Sequence, residues 1–60
     1  MKPDWKDAPE WANWLAMDDF GAWCWHEEKP WWRHDEWVSD GLVIVAIRPG
    51  SGYSTLEGRP

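Results

Sequence analysis

Asp7-Ala8-Pro9-Glu10-Trp11-Ala12-Asn13-Trp14-Leu15-Ala16-Met17-Asp18, residues 7–18, is the stretch on whose reading the fold turns. Asp7 can cap a helix, Pro9 suits a first turn whose amide donors are orphaned in any case, and Glu10 stands at capping-box distance from Asp7. Trp11, Trp14, Leu15 and Asp18 fall at i, i+3, i+4 and i+7 and share one helical face, while Ala12, Asn13 and Ala16 take the others. The spacing predicts a short amphipathic helix over residues 8–17, with Trp11, Trp14 and Leu15 toward a core and Ala12 and Asn13 toward water. Asp18-Asp19-Phe20-Gly21 ends it, with Gly21 free to take a positive φ. Residues 1–6 read as a loose arm.

From Ala22 the period changes from 3.6 to two. Trp23 and Trp25 alternate with Cys24 and His26, and Glu27-Glu28-Lys29-Pro30 closes a first strand with a turn. Residues 31–38 read as a second strand rich in aromatics. Asp40-Gly41 is the dipeptide of a type I′ hairpin, and Leu42-Val43-Ile44-Val45-Ala46-Ile47 has the strongest strand composition in the chain. The expected fold class is therefore α+β, a short N-terminal helix packed on a three-stranded antiparallel β-meander. If Asp40-Gly41 is a two-residue loop, Ser39 faces Leu42. Trp31, Arg33, Asp35 and Trp37 then share a face with Leu42, Ile44 and Ala46, and Trp32, His34, Glu36 and Val38 share the other with Val43, Val45 and Ile47. Residues 1–50 form a single small Trp-rich domain in this reading, and residues 51–60 a mobile C-terminal tail.

Eight tryptophans in sixty residues, at 5, 11, 14, 23, 25, 31, 32 and 37, supply what a chain this short lacks in aliphatic core. Each indole buries roughly 150–250 Å², and a small domain with one cysteine has no internal disulfide to staple it. Six basic against eleven acidic residues give a formal charge of −5. That balance argues against a phosphate-binding surface. No apolar stretch is long enough to span a bilayer, and the N-terminal residues lack the apolar core of a signal peptide.

Chemistry-bearing clusters are sparse. With an odd loop after the first strand, Cys24 and His26 share a face with His34 and Glu36, a zinc-like ligand set by type; with an even loop they separate. The spacing matches no familiar zinc signature, so neither metal nor cofactor is expected. Cys24 with His26 or His34 can be written as nucleophile and base, but sixty residues leave little room for a substrate pocket, and no nucleophile elbow or phosphate loop is present. A meander with tryptophans has the architecture of proline-peptide readers, without their Gly-Trp-Glu context, since Ala22 precedes Trp23 and Cys24 follows it. Strand two places indoles on both faces, so at least one of Trp31, Trp32 and Trp37 is expected at the surface beside Arg33, Asp35 and Glu36. An aromatic ringed by charge has the composition of a binding hot spot, and Trp31, Trp32, Asp35, Glu36 and Trp37 are the candidate partner-binding residues. Packing of that strand under the tail or in a homodimer is the competing reading.

The string Asp4-Trp5, Ala8-Pro9-Glu10-Trp11-Ala12-Asn13-Trp14-Leu15-Ala16, then Gly21-Ala22-Trp23-Cys24-Trp25-His26-Glu27 and Lys29-Pro30, resembles a module of small uncharacterised proteins of tailed bacteriophages and prophages. The match covers residues 4–30, about half of the chain. Members of that group carry Asp-x-Asp-Gly at the turn, where this chain has Asp18-Asp19-Phe20-Gly21. The resemblance implies a phage accessory protein acting in the host cytoplasm and implies no activity.

The expectation is a non-enzymatic accessory protein, monomer or homodimer, that binds and inhibits or modulates a host protein through strand two, without touching nucleic acid or membrane. The alternatives are an acidic nucleic-acid mimic that blocks a host DNA-binding protein, and a small structural protein associated with the virion. Lys2, Lys6, Lys29, Arg33 and Arg48 are interspersed among the carboxylates, unlike the continuous acidic face of a mimic.

Overall fold

The computed structural model describes residues 2–18, 21–47 and 55–60. They fold into two antiparallel β-sheets with no α-helix, so the expected α+β class is incorrect. Strands β1 (Trp14–Met17), β2 (Trp23–His26), β5 (Val43–Ile47) and β6 (Thr55–Gly58) form a four-stranded sheet in the order β5-β2-β1-β6. Strands β3 (Trp31–Arg33) and β4 (Glu36–Val38) form a separate two-stranded hairpin.

The helix predicted over residues 8–17 is replaced by a turn and a central strand. Ala12 N donates to Pro9 O at 3.0 Å, which closes one turn and no more. The chain then extends, pairing Trp14–Met17 with β2 on one side and β6 on the other. Leu15, Ala16 and Met17 are buried on both faces of the sheet. A strand covered on both faces reads as a continuous apolar run, which hydrophobic periodicity cannot tell from a piece of buried helix. Burial also reverses one detail of the helical expectation: Ala12 has no exposed surface, while Trp11 and Trp14 are only half-buried. Gly21 does take a positive φ, 81°, but in the reversal between β1 and β2, where its N–H donates to Asp18 O at 2.9 Å.

The register sorts the side chains. Leu15 stands opposite Trp25 and Met17 opposite Trp23. These four and Ala12 form the core, and Trp5, Ala8, Trp11 and Ala46 pack against it. Full burial of apolar side chains of this size contributes roughly 1.5–3 kcal/mol each. The N-terminal segment is the lid of this core, not a loose arm. Asp4 caps a 3-10 turn over Trp5–Asp7 by accepting from Lys6 N at 2.9 Å. The Trp5 ring meets Trp25 edge-on at 4.9 Å.

The opposite face of β1 and β2 carries Trp14 beside His26 and Ala16 beside Cys24. Here β4 lies against β1. Trp37 N donates to Asp18 Oδ1 at 2.9 Å, and His26 Nδ1 and Ser39 Oγ are 2.8 Å apart. Residues 31–38 are thus two short strands, not one. Four consecutive polar residues, Arg33 to Glu36, interrupt the aromatic run, and His34 turns the chain with a φ of 58°.

Two further expectations change with this topology. Asp40-Gly41 makes no type I′ turn joining adjacent strands, since neither residue has a positive φ and β5 pairs with β2, placing Ile44 opposite Trp25 and Val43 opposite His26. The expected pairing of Ser39 with Leu42, and with it the sorting of residues 31–38 against 42–47, does not form. Gly41 answers a close approach instead: a Cβ there would lie 2.7 Å from Glu27 Oε1 and 2.8 Å from Glu28 Cγ. The segment expected as a mobile tail contains β6, whose Leu56 pairs with Ala16 and Glu57 with Leu15. Residues 51–54 of that segment lie outside the described residues.

Candidate protein-binding surface

The β3–β4 hairpin brings all five candidate residues into one element. Trp31 pairs with Val38, Trp32 with Trp37, and Arg33 with Glu36, around the two-residue turn His34-Asp35. Cross-strand partners project to the same side of a hairpin, so Trp32 and Trp37 share a side, and their rings meet edge-on at 5.2 Å. Trp31 and Val38 take the other side.

These indoles differ from the rest in their exposure. Trp23 and Trp25 are buried and Trp5, Trp11, Trp14 and Trp37 half-buried, whereas Trp31 is 47% and Trp32 39% exposed. Arg33, His34, Asp35 and Glu36 beside them are exposed as well. The hairpin is seated on the main sheet through Trp37, whose backbone N–H is held by Asp18, and through Ser39, held by His26. The Trp37 Nε1 group is enclosed and finds no hydrogen-bond partner among the described residues. Such a buried orphan donor costs about 1–3 kcal/mol. The anchor therefore rests on ring packing and the bonds at Trp37 and Ser39, with Trp31 and Trp32 left facing water.

Among the described residues, His26 is the one buried polar residue. Burial pushes its imidazole below its ordinary value, opposed by the nearby Asp18 carboxylate. The neutral ring and the Ser39 hydroxyl can each donate to the other, depending on the tautomer. Cys24 is on the same strand and half-buried, while His34 and Glu36 lie in and beside the exposed hairpin turn. The four residues weighed as metal ligands are thus divided between two sheets. Among the described residues, no group of three or more His, Cys, Asp or Glu side chains is placed to hold a metal ion.

A second exposed apolar surface escaped the sequence reading. Leu42, Val43, Ile44 and Val45 are 43–55% exposed, although their composition marks them as a core strand. They lie in and just before β5, which among the described residues is an edge strand of its sheet. The only sequence signal for this would have been the polar residues flanking the run on both sides, which do not distinguish an edge from a centre.

Comparison with known proteins returns no match: neither a family model, nor a characterised sequence, nor a solved structure is significantly similar to this chain.

Proposed function

We propose that the protein is a non-enzymatic binding module that docks on another protein through the β3–β4 hairpin, with Trp31 and Trp32 as anchors and Asp35 and Glu36 as steering charges. The observation that carries this reading is the pair of adjacent indoles left substantially exposed in a chain that covers its other six. Exposed tryptophan is costly to leave in water and is among the residues most enriched at the energetic centres of interfaces. Attachment at Trp37 and Ser39 favours the same reading, because a hairpin already held at two points has less conformational freedom to lose on docking. The surrounding charges suit a polar rim that sets association rate and salt dependence. The resemblance of residues 4–30 to small phage proteins makes a bacterial host protein the partner to look for, with inhibition or modulation as the consequence of occupying its surface.

The test is affinity capture from bacterial lysate with the wild-type chain and with Trp31→Ala and Trp32→Ala variants whose melts are unchanged, followed by calorimetry on the captured partner. Binding is expected to weaken by about 2 kcal/mol or more for at least one variant, as at other hot spots. Charge reversal at Asp35 or Glu36 is expected to slow association, with a smaller effect on dissociation. Equal affinity of all folded hairpin variants for that partner would place the interface elsewhere.

A further inference from the structure

The two edges of the main sheet are built differently. On β6 the strand is four residues long, Glu57 is ion-paired with Lys2, Arg59 is tied to the carbonyls of Pro9, Glu10 and Ala12, and Pro60 follows without an N–H. Charge, short length and proline are the usual devices that keep a sheet edge from pairing. On β5 the run between Asp40 and Arg48 carries no ionisable residue and no proline, and Leu42 to Val45 are about half exposed; Arg48-Pro49 follow it as Arg59-Pro60 follow β6, and an irregularity between Val45 and Ile47 leaves Val43 to Val45 as its regular stretch.

The register shows which main-chain groups this edge offers. Glu27 N donates to Leu42 O at 2.9 Å, and Ile44 stands opposite Trp25 two residues further along the ladder. Hydrogen-bonded pairs alternate in an antiparallel ladder. Leu42 and Ile44 therefore turn their N–H and C=O groups toward β2, and Val43 and Val45 turn theirs outward.

We propose that β5 pairs with β5 of a second copy of this chain, antiparallel about a two-fold axis at Ile44. In that register Val43 and Val45 of one copy exchange N–H···O=C bonds with Val45 and Val43 of the other, four bonds in all, and the two Ile44 side chains meet at the axis. The outward groups are spaced to complement themselves, as an isologous interface requires. With no ionisable residue in the run, the copies meet without like charges opposed. The joined sheet has eight strands in the order β6-β1-β2-β5-β5-β2-β1-β6, and its outer edges are the blunted β6 strands, so assembly closes at two. A contact limited to Val43, Ile44 and Val45 is smaller than a standard interface of about 800 Å² per partner, so the expected association is a weak, reversible dimer. The surface is separate from the β3–β4 hairpin and does not depend on its role.

Sedimentation velocity over a concentration series from low micromolar to millimolar tests this. The wild-type chain is expected to shift reversibly from one copy to two and to stop there. Ile44→Lys sets two ammonium groups against each other at the axis and is expected to weaken dimerisation at least about tenfold. Val43→Pro removes an outward donor that β2 does not use, with the same expected result. Circular dichroism melts establish that each variant is folded. Amide exchange on the wild type, followed by NMR, gives a readout that needs no variant: Val43 and Val45 amides gain protection with rising concentration while Ile44 stays protected throughout. A wild-type chain that remains monomeric at millimolar concentration overturns the proposal. So does growth beyond two copies, a folded variant that dimerises like the wild type, or exchange at Val43 and Val45 that ignores concentration.

Discussion

The Trp5 indole N–H donates to the Glu57 carboxylate across a sequence separation of 52 residues. The same carboxylate is ion-paired with Lys2, and the Arg59 guanidinium lies 5.7 Å from the Trp5 ring centroid while donating to three carbonyls of residues 9–12. A chain with one cysteine thereby ties its N-terminal segment to its last strand without a disulfide. The tie holds the Trp5 ring on Trp25, which closes one side of the core. Lys2 and Trp5, in that order of effect, hold the Glu57 carboxyl below its usual range.

A double-mutant cycle with Trp5→Phe and Glu57→Gln is expected to show a coupling energy of about 1 kcal/mol, the scale of a hydrogen bond to a charged group that water partly screens. Because Glu57 is depressed in the folded state, its contribution is complete above the ordinary carboxylate value of 4.5 and fades as pH falls through the lowered one. Denaturant melts of the four proteins at neutral and acid pH check both statements. Additive single effects at neutral pH would show that the bond contributes nothing.

Removing residues 55–60 is expected to abolish the cooperative melt. Deletion strips the hydrogen bonds from one side of β1, uncovers Leu15 beside Glu57, and takes away Arg59. Several buried main-chain groups would lose their partners at about 1–3 kcal/mol each, more than a small domain has in reserve. A truncated chain that melts within a few degrees of the full one would show that β6 is dispensable.

Stability is expected to fall as pH drops below 6.5. The His26 imidazole is held below that ordinary value, first by burial. A depressed folded value means that the unfolded chain takes up the proton first, so stabilisation is complete above 6.5 and declines as pH falls toward the lowered value. His26→Gln keeps a polar group facing Ser39 and removes the titration. Chemical denaturation between pH 5 and 8 is expected to show a sloping midpoint for the wild type and a flatter one for this variant. Parallel slopes would assign the titration to another group.

His34→Gly is expected to stabilise the β3–β4 hairpin by about 0.5–1 kcal/mol. A side chain at a φ of 58° carries a left-handed penalty of roughly 1–2 kcal/mol, partly offset by the greater freedom glycine loses on folding. Thermal melts measure the gain, and a loss of stability would mean that the exposed imidazole makes a compensating contact. The substitution leaves Trp31 and Trp32 untouched, so partner binding is expected to persist.

The features legible in the residues alone are local ones. Alternation marked 23–26 as a strand, β-branched composition marked 42–47, of which 43–47 is β5, Gly21 was available for a positive φ, and the excess of indoles over aliphatic residues required a tryptophan core. Those features depend on a residue and its immediate neighbours. Tertiary structure decided the rest, because it depends on which segments meet. Trp14–Met17 is a strand only because β2 and β6 supply partners from both sides, one of them some forty residues away. The helical spacing of Trp11, Trp14 and Leu15 is real, but pairing overrode it. The partner-binding candidates on 31–38 were placed by composition, and their gathering into a hairpin required the chain to reverse at His34, whose left-handed φ histidine tolerates better than most residues but which nothing in the aromatic run marks as a turn. The exposure of Leu42 to Val45 is wholly a tertiary fact: the same apolar run would be core in the middle of a sheet and is surface at its edge.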